Sequence, residues 1–378
     1  MIKKILLIIF TIISIFLFYL IFYKIERSDS SAERITSSTQ VPEKYLSGKE
    51  LELYKLIVEE LRKTAEGEDE SYTYFIEVPE PFDSTDEYMN SLERVNWFVK
   101  SYAPEYTFWA DTSDLWVYST TECAVSYFPS PEYMSGDEIA LLDRDKLAAA
   151  NDAIAYAKRI AEKYEDKSDY AKVIGYAAEI CSLNTYNDEA ADTEDYAREN
   201  IDPWRIVNVF DGDPRTNVVC GGYAQAFQYL CGLGGIECHY VCGDIEEGYH
   251  AWNIVVVNGV NYFADITTCD ATGYSADDIR KRHPYVMNAV TKSTAEKTET
   301  ALLTKNNSYF SINYEYDEKA CEYLPADLRA VSEKPYRSKR ELYFLMIGSL
   351  IGMVICAIPS RKRSEEDEDA GKNENIPQ

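Results

Sequence analysis

The spacing of apolar positions predicts alternating helices and strands through the first half of the chain. Leu53, Ile57 and Leu61 form one helical stripe. Ser84, followed three residues later by Glu87, is a capping-box signal for another helix. Period-two alternation marks the segments that we expect to be strands. The predicted helices are 51–65, one starting after Ser84, 137–164 and 170–183, and the predicted strands are 72–78, 106–110 and 115–128.

The second half of the chain carries a clearer pattern. A helix is predicted from Gly221 until a glycine pair ends it, and a strand follows over residues 236–243. Asn258-Gly259 then stands between two apolar runs, which is the strongest short-range signal for a β-hairpin. One more short strand is predicted within residues 306–336.

The two-residue turn predicts a register for this hairpin. Val257 faces Val260, and counting back places His250 opposite Thr267. Asp265 then lies diagonally across from His250 on the same face of the sheet, at about 7–8 Å between backbones. A shift of one residue would put the two side chains on opposite faces.

Cys220, His250 and Asp265 together carry the candidate chemistry. Cys220 stands at the amino end of the predicted helix, where free amides and the helix dipole favour a thiolate and can bind an oxyanion. A thiol becomes a good nucleophile when an imidazole takes its proton, and a carboxylate orients that imidazole. The alternatives are a buried core cysteine, a core histidine with satisfied hydrogen bonds, and an aspartate that caps a loop.

Four short motifs in this region resemble the transglutaminase-like superfamily, in particular its membrane-anchored bacterial members. They are Cys220-Gly-Gly-Tyr-Ala, Gly235-Ile-Glu-Cys, His250-Ala-Trp-Asn and Tyr262-Phe-Ala-Asp265-Ile-Thr, in the family's order and within roughly residues 170–275. The resemblance implies a papain-like core with a Cys-His-Asp triad. Thr268-Cys-Asp follows the last motif, where the family more often has an aromatic residue.

The resemblance also implies an upstream side chain that completes the oxyanion hole, and Tyr186 is a candidate for it. We expect acyl transfer from a peptide or protein substrate, as a cysteine peptidase or amidase or as a cross-linking transferase. The alternatives are a non-catalytic binding or scaffold module that retains the fold, and an enzyme acting on glycan-linked amides.

Composition narrows the possible partners. The net charge of −27, from 65 acidic and 38 basic residues, opposes nucleic-acid binding. No metal or cofactor is expected, because Cys231, Cys238, Cys242 and His239 do not have zinc-ligand spacing. The nine cysteines do not form a disulfide framework by spacing, although a pair such as Cys231 with Cys242 stays open. The 31 tyrosines suggest no localised aromatic binding face.

Two uncharged stretches, residues 5–23 and 342–360, have the length of membrane spans. A cleaved signal peptide for the first and a buried globular helix for the second are the alternatives. Basic residues at 3–4 and 361–363 favour cytoplasmic ends, and we therefore expect an extracytoplasmic domain at the membrane. Gly348 and Gly352, four residues apart, permit helix association.

The predicted fold class is α+β, with the cysteine helix packed on an antiparallel sheet. The amino-terminal part is expected to be a separate α+β extension or the first half of the same core. The predicted organisation is an anchor (1–23), a linker (24–47), an amino-terminal α+β segment (48–135), a transglutaminase-like domain (136–330), a second transmembrane helix (342–360) and an acidic tail (361–378).

Overall fold

The computed structural model divides the chain into two units, Ala32–Tyr336 and a second formed by Met1–Ser31 with Arg337–Gln378. It describes residues 2–19, 40–135, 141–192, 202, 204–213, 216–282, 285–288, 290–303, 309–337 and 339–357. The predicted acidic tail and most of the predicted linker lie outside these residues.

Helices and strands alternate irregularly along the described chain. The helices are α1 (Ile2–Tyr19), α2 (Gln40–Tyr45), α3 (Gly48–Ala65), α4 (Thr85–Tyr102), α5 (Pro104–Thr107), α6 (Arg144–Lys163), α7 (Asp169–Leu183), α8 (Asp188–Asp192), α9 (Val207–Phe210), α10 (Cys220–Leu233), α11 (Ile266–Ala271), α12 (Ala276–Arg282), α13 (Ala326–Arg329) and α14 (Lys339–Ala357). The strands are β1 (Thr73–Glu77), β2 (Ala110–Val117), β3 (Glu122–Pro129), β4 (Met134–Ser135), β5 (Leu141–Leu142), β6 (Cys238–Ile245), β7 (Gly248–Val257), β8 (Val260–Ala264), β9 (Lys292–Ser293), β10 (Lys297–Leu303) and β11 (Tyr309–Tyr316).

Two main sheets organise the larger unit. A three-stranded sheet has the order β1-β3-β2, and a six-stranded sheet has the order β8-β7-β6-β11-β10-β9. The strand pairs within them are antiparallel, so the fold is α+β. Strands β9, β10 and β11 come from a polar part of the chain, in which the sequence predicted only one short strand.

The amino-terminal helices begin largely where the sequence predicts. The Ser47 hydroxyl accepts from the Glu50 amide, and the Glu50 carboxylate accepts from the Ser47 amide, so a capping box opens α3. Ser84 likewise caps α4 through the Glu87 amide. The Glu87 carboxylate accepts instead from the amide of Asp83, so the predicted capping box there is only half formed.

Two predicted boundaries are wrong. The predicted strand at 106–110 is instead the end of helix α5 followed by a turn, because Pro104 supplies a φ already suited to a first helical turn. Strand β2 begins at Ala110 and runs through the predicted loop. The helix predicted from residue 137 begins at Arg144, because the Asp143 side chain accepts from the first amides of α6.

One hydrophobic core joins the amino-terminal segment to the rest of Ala32–Tyr336. Leu53 and Tyr88 belong to the same buried cluster as Phe227 and Ile266. A second cluster, containing Trp252, lies on the opposite face of the six-stranded sheet. The predicted boundary between residues 135 and 136 therefore separates two segments that share one core. It stays a prediction about chain organisation.

The smaller unit consists of α1 packed against α14. The hydroxyls of Ser14 and Ser349 are buried and hydrogen-bond each other. A Cβ added at Gly352 would lie 2.9 Å from the Phe10 ring, so this glycine permits close approach of the helices. In the described part of the chain, no helix combines the length and the apolar character that crossing a membrane requires. The two predicted spans, parts of which lie outside the described residues, stay predictions.

A test of the six-stranded sheet is the Gly243→Ala substitution. A Cβ at Gly243 would lie 1.9 Å from the carbonyl oxygen of Glu315 on β11. We expect the variant to lose about 1–3 kcal/mol of unfolding free energy, because β6 and β11 must separate. Urea unfolding measures the loss, and Gly48→Ala, where an added Cβ meets nothing within 4 Å, is the matched control. Equal stability of the two variants would contradict this packing.

Candidate active site

The predicted hairpin register is confirmed. Val257 pairs with Val260, and the pairing continues to Asn253 opposite Ala264. The turn residue Asn258 has a φ of 55°, a conformation that asparagine tolerates better than most residues. Strand β8 then ends at Ala264, so two predicted strand positions are wrong, that of Thr267 opposite His250 and that of Asp265 diagonally across from it. Thr267 lies in α11.

Asp265 leaves the strand and becomes the N-cap of α11, where its side chain reaches two elements. One carboxylate oxygen accepts from the Thr268 amide at 3.0 Å. The other accepts from the Thr268 hydroxyl at 2.6 Å, the Tyr314 hydroxyl at 2.8 Å and His250 Nε2 at 3.0 Å. The side chain is fully buried. Burial favours the neutral acid, but His250 and these hydrogen bonds outweigh it and lower the carboxyl pKa of Asp265.

His250 lies between this carboxylate and the Cys220 thiol. Its Nε2 bonds Asp265, and Cys220 lies close enough to the same imidazole to affect the pKa of His250. The ring is nearly buried and lies parallel to the Trp252 ring, with 6.2 Å between the ring centres. Burial alone would lower the pKa of His250. The charges and hydrogen bonds of Asp265 and Cys220 prevail and raise it to about 10.

Cys220 is the first residue of α10 and is only partly buried. A small apolar cluster of Ala224, Cys242 and Ala251 packs behind it. The N-cap residue Val219 makes no side-chain cap, so no side chain competes for the amides of the first turn. The site therefore combines a partly exposed cysteine with a buried imidazole and a buried carboxylate.

Trp204 packs against Gly221, the residue that follows Cys220. A Cβ added at Gly221 would lie 2.7 Å from Trp204 Cδ1, so only glycine allows the indole this close to the start of α10. Trp204 remains 39% exposed, so the residue is not enclosed in the core. The local sequence holds no signal for this contact.

Sequence reasoning also missed the two other donors to Asp265. Thr268 follows Asp265 by three residues, which is the spacing at which an N-cap side chain accepts from a backbone amide. The sequence could therefore have predicted this donor. Tyr314 comes from β11, outside the family resemblance, and no local pattern links it to this site. Tyr186, the oxyanion-hole candidate, lies with its ring 6.4 Å from that of Tyr223, and its amide donates to Asp270. Its proposed role stays a prediction.

The remaining candidate groups form no second reactive site. His239 is buried, with Nδ1 bonded to the Tyr102 hydroxyl and Nε2 to the Glu237 carboxylate. The eight cysteines between residues 123 and 321 are free thiols, and Cys231 is not bonded to Cys242. No group of three or more histidine, cysteine, aspartate or glutamate side chains within these residues could hold a metal ion.

Comparison with known proteins finds little. No family profile and no curated protein matches the chain. A solved structure titled "Crystal structure of a TGase" matches with a TM-score of 0.27 and 16% identity, over 42% of this chain and 44% of that one. A likeness of this size carries no weight, so the assignment of function rests on the geometry of the site.

The pH dependence of stability tests the environment of His250. Since folding raises the pKa of His250 from about 6.5 to about 10, the stabilisation is complete below pH 6.5 and is lost as the pH rises through 10. We expect the stability advantage of the wild-type chain over His250→Gln to shrink steadily between pH 6.5 and 10. Urea unfolding of both chains at several pH values measures it. An advantage that does not change with pH would show that His250 is not paired with Asp265 as an imidazolium.

Proposed function

We propose that the protein is a thiol-dependent acyl-transfer enzyme of transglutaminase-like type, with Cys220, His250 and Asp265 as its catalytic triad. The observation that carries the proposal is the buried hydrogen bond between His250 and Asp265 next to the partly exposed Cys220, whose side chain contributes to the raised pKa of His250. Each member has the environment that its role requires.

The first half of the reaction forms a thioester. The Cys220 thiolate attacks the carbonyl carbon of a peptide or glutamine amide, and the electron pair of the carbonyl moves onto its oxygen. We propose that the amides of Cys220 and Gly221 donate to that oxyanion, because the next two amides of α10 already bond the Val219 carbonyl. The carbon–nitrogen bond then breaks, and the His250 imidazolium gives its proton to the departing amine or ammonia.

The second half regenerates the thiol. Water, or an amine, attacks the thioester carbon and gives a proton to the now neutral His250. The carbon–sulfur bond breaks, and the thiolate returns beside the imidazolium. Asp265 keeps the ring oriented throughout, and Thr268 and Tyr314 hold Asp265. We favour water as the acceptor, because no feature of the chain marks a dedicated amine site.

We further propose that α1 and α14 anchor the protein in a lipid bilayer, with Ala32–Tyr336 outside the cytoplasm. The support is the distribution of side chains in the smaller unit. Its serine pair is buried between the helices, whereas Ile12, Phe344 and Val354 are each about 60% exposed. Polar contacts between helices and apolar side chains outside suit a lipid environment. A helix inside a globular core would instead have its apolar side chains buried.

Thiol alkylation separates an enzyme from a non-catalytic module. At pH 7 we expect iodoacetamide to modify Cys220 at least roughly tenfold faster than Cys181, because His250 activates only the former. Burial raises the pKa of the Cys181 thiol, which makes it an internal control. His250→Ala should slow modification of Cys220 and leave Cys181 unchanged, as read by peptide mass spectrometry. Equal rates at the two cysteines would favour the binding or scaffold alternative.

Turnover distinguishes the two acceptors. A glutamine-containing peptide should release ammonia with the wild-type chain and not with Cys220→Ala. Mass spectrometry of the peptide with and without a primary alkylamine then reports the product. We expect the free acid in both cases. Amine incorporation as the main product would assign the protein to cross-linking.

Membrane association is tested by alkaline carbonate extraction. We expect the full chain to stay in the membrane pellet, and a chain lacking residues 1–23 and 342–378 to become extractable, because its apolar helices are gone. Protease added to intact cells should cleave the larger unit if it lies outside. Complete extraction of the full chain would contradict the anchor.

A further inference from the structure

The three-stranded sheet has one buried face and one exposed face, and the exposed face carries aromatic and acidic side chains. The inner face contributes Tyr74, Ile76 and Val125 to the main core. On the outer side, two aromatic rings are strongly exposed, Phe75 by 76% and Tyr118 by 60%. Single exposed apolar residues are ordinary, but neighbouring ones mark a contact surface.

The strand register places these rings together. Phe75 on β1 and Trp116 on β2 flank the same residue of β3, Ala124, so the three side chains lie side by side. Trp116 is 39% exposed, whereas the small Ala124 between the two rings is buried, so the solvent-facing surface at this point is aromatic. The Phe75 and Tyr118 rings stack with 6.4 Å between their centres.

Carboxylates border these exposed aromatic rings. Glu77 stands directly opposite Glu122 in the next position of the ladder, beside the rings. Directly opposed like charges destabilise a sheet unless a cation lies between them. Asp114 borders the other side through its pairing with Ser126. The outward positions of these three strands hold no lysine or arginine.

We propose that this aromatic–acidic face binds an extended polypeptide segment that carries arginine or lysine side chains. A cation on an apolar stem can lie over the Phe75 and Trp116 rings and pair with the Glu77 and Glu122 carboxylates. The bound cation then supplies the positive charge that Glu77 and Glu122 do not receive from these three strands. The same carboxylates disfavour an anionic lipid surface. A second copy of this chain is disfavoured by its net charge of −27.

Fluorescence anisotropy with a labelled eight-residue peptide of alternating arginine and serine tests the proposal on the full-length protein. The matched probe has glutamine in place of arginine. Two double variants remove the rings or the charges of the face, Phe75→Ala with Trp116→Ala, and Glu77→Gln with Glu122→Gln. The control, Glu165→Gln with Asp166→Asn, removes the same charge from exposed positions between α6 and α7.

We expect both face variants to bind the arginine peptide roughly tenfold more weakly than the control does, and the glutamine probe to bind none of them measurably. Equal affinity of the face and control variants would overturn the proposal, because binding would then follow overall charge. Binding of an N-acetylglucosamine hexamer that only the ring variant loses, without any effect on the peptide, would overturn it in favour of a glycan. Circular dichroism checks folding, and Phe75→Ala alone replaces the ring variant if that one unfolds.

Discussion

The candidate site is organised around the buried carboxylate of Asp265, which needs hydrogen-bond donors on its oxygens. An unpaired charge in the interior is costly, so Asp265 is tolerable only because four hydrogen bonds converge on it. These donors come from the hairpin, from the first turn of α11 and from β11. Satisfying one side chain thus ties the hairpin and the adjacent α11 to β11, which lies much further along the chain, and it holds His250 in one orientation.

The close approach of β6 and β11 is a second constraint, because it brings one of the donors to Asp265. Gly243 lies opposite His250 in one ladder and opposite Tyr316 in the other. Because it has no Cβ, the backbone of β11 can approach closely enough for Tyr314 to reach Asp265. The proposed base and its support therefore depend on a backbone contact that no titratable group takes part in.

The site and the aromatic–acidic face of the three-stranded sheet differ in how they use aromatic residues. Around His250, Trp252 and Tyr314 are fully buried and exclude water from an ionic contact. On the outer sheet face, Phe75 and Tyr118 keep most of their surface in solvent. Counting the tyrosines of the chain cannot separate these two situations, since exposure is a property of packing.

The sequence by itself determined the hairpin register, the extent of α10 and the position of Cys220 at its start, because turn chemistry and helix periodicity are local. It failed at 106–110, where Pro104 outweighed an apparent alternation, and it missed β9 and β10, whose polar residues carry too few apolar positions to mark strands. Tertiary structure alone decided that Tyr314 holds Asp265, that Trp204 lies against Gly221 and that Glu77 faces Glu122. Each of these contacts joins residues from separate elements, and their proximity depends on how sheets and helices pack rather than on any spacing along the chain.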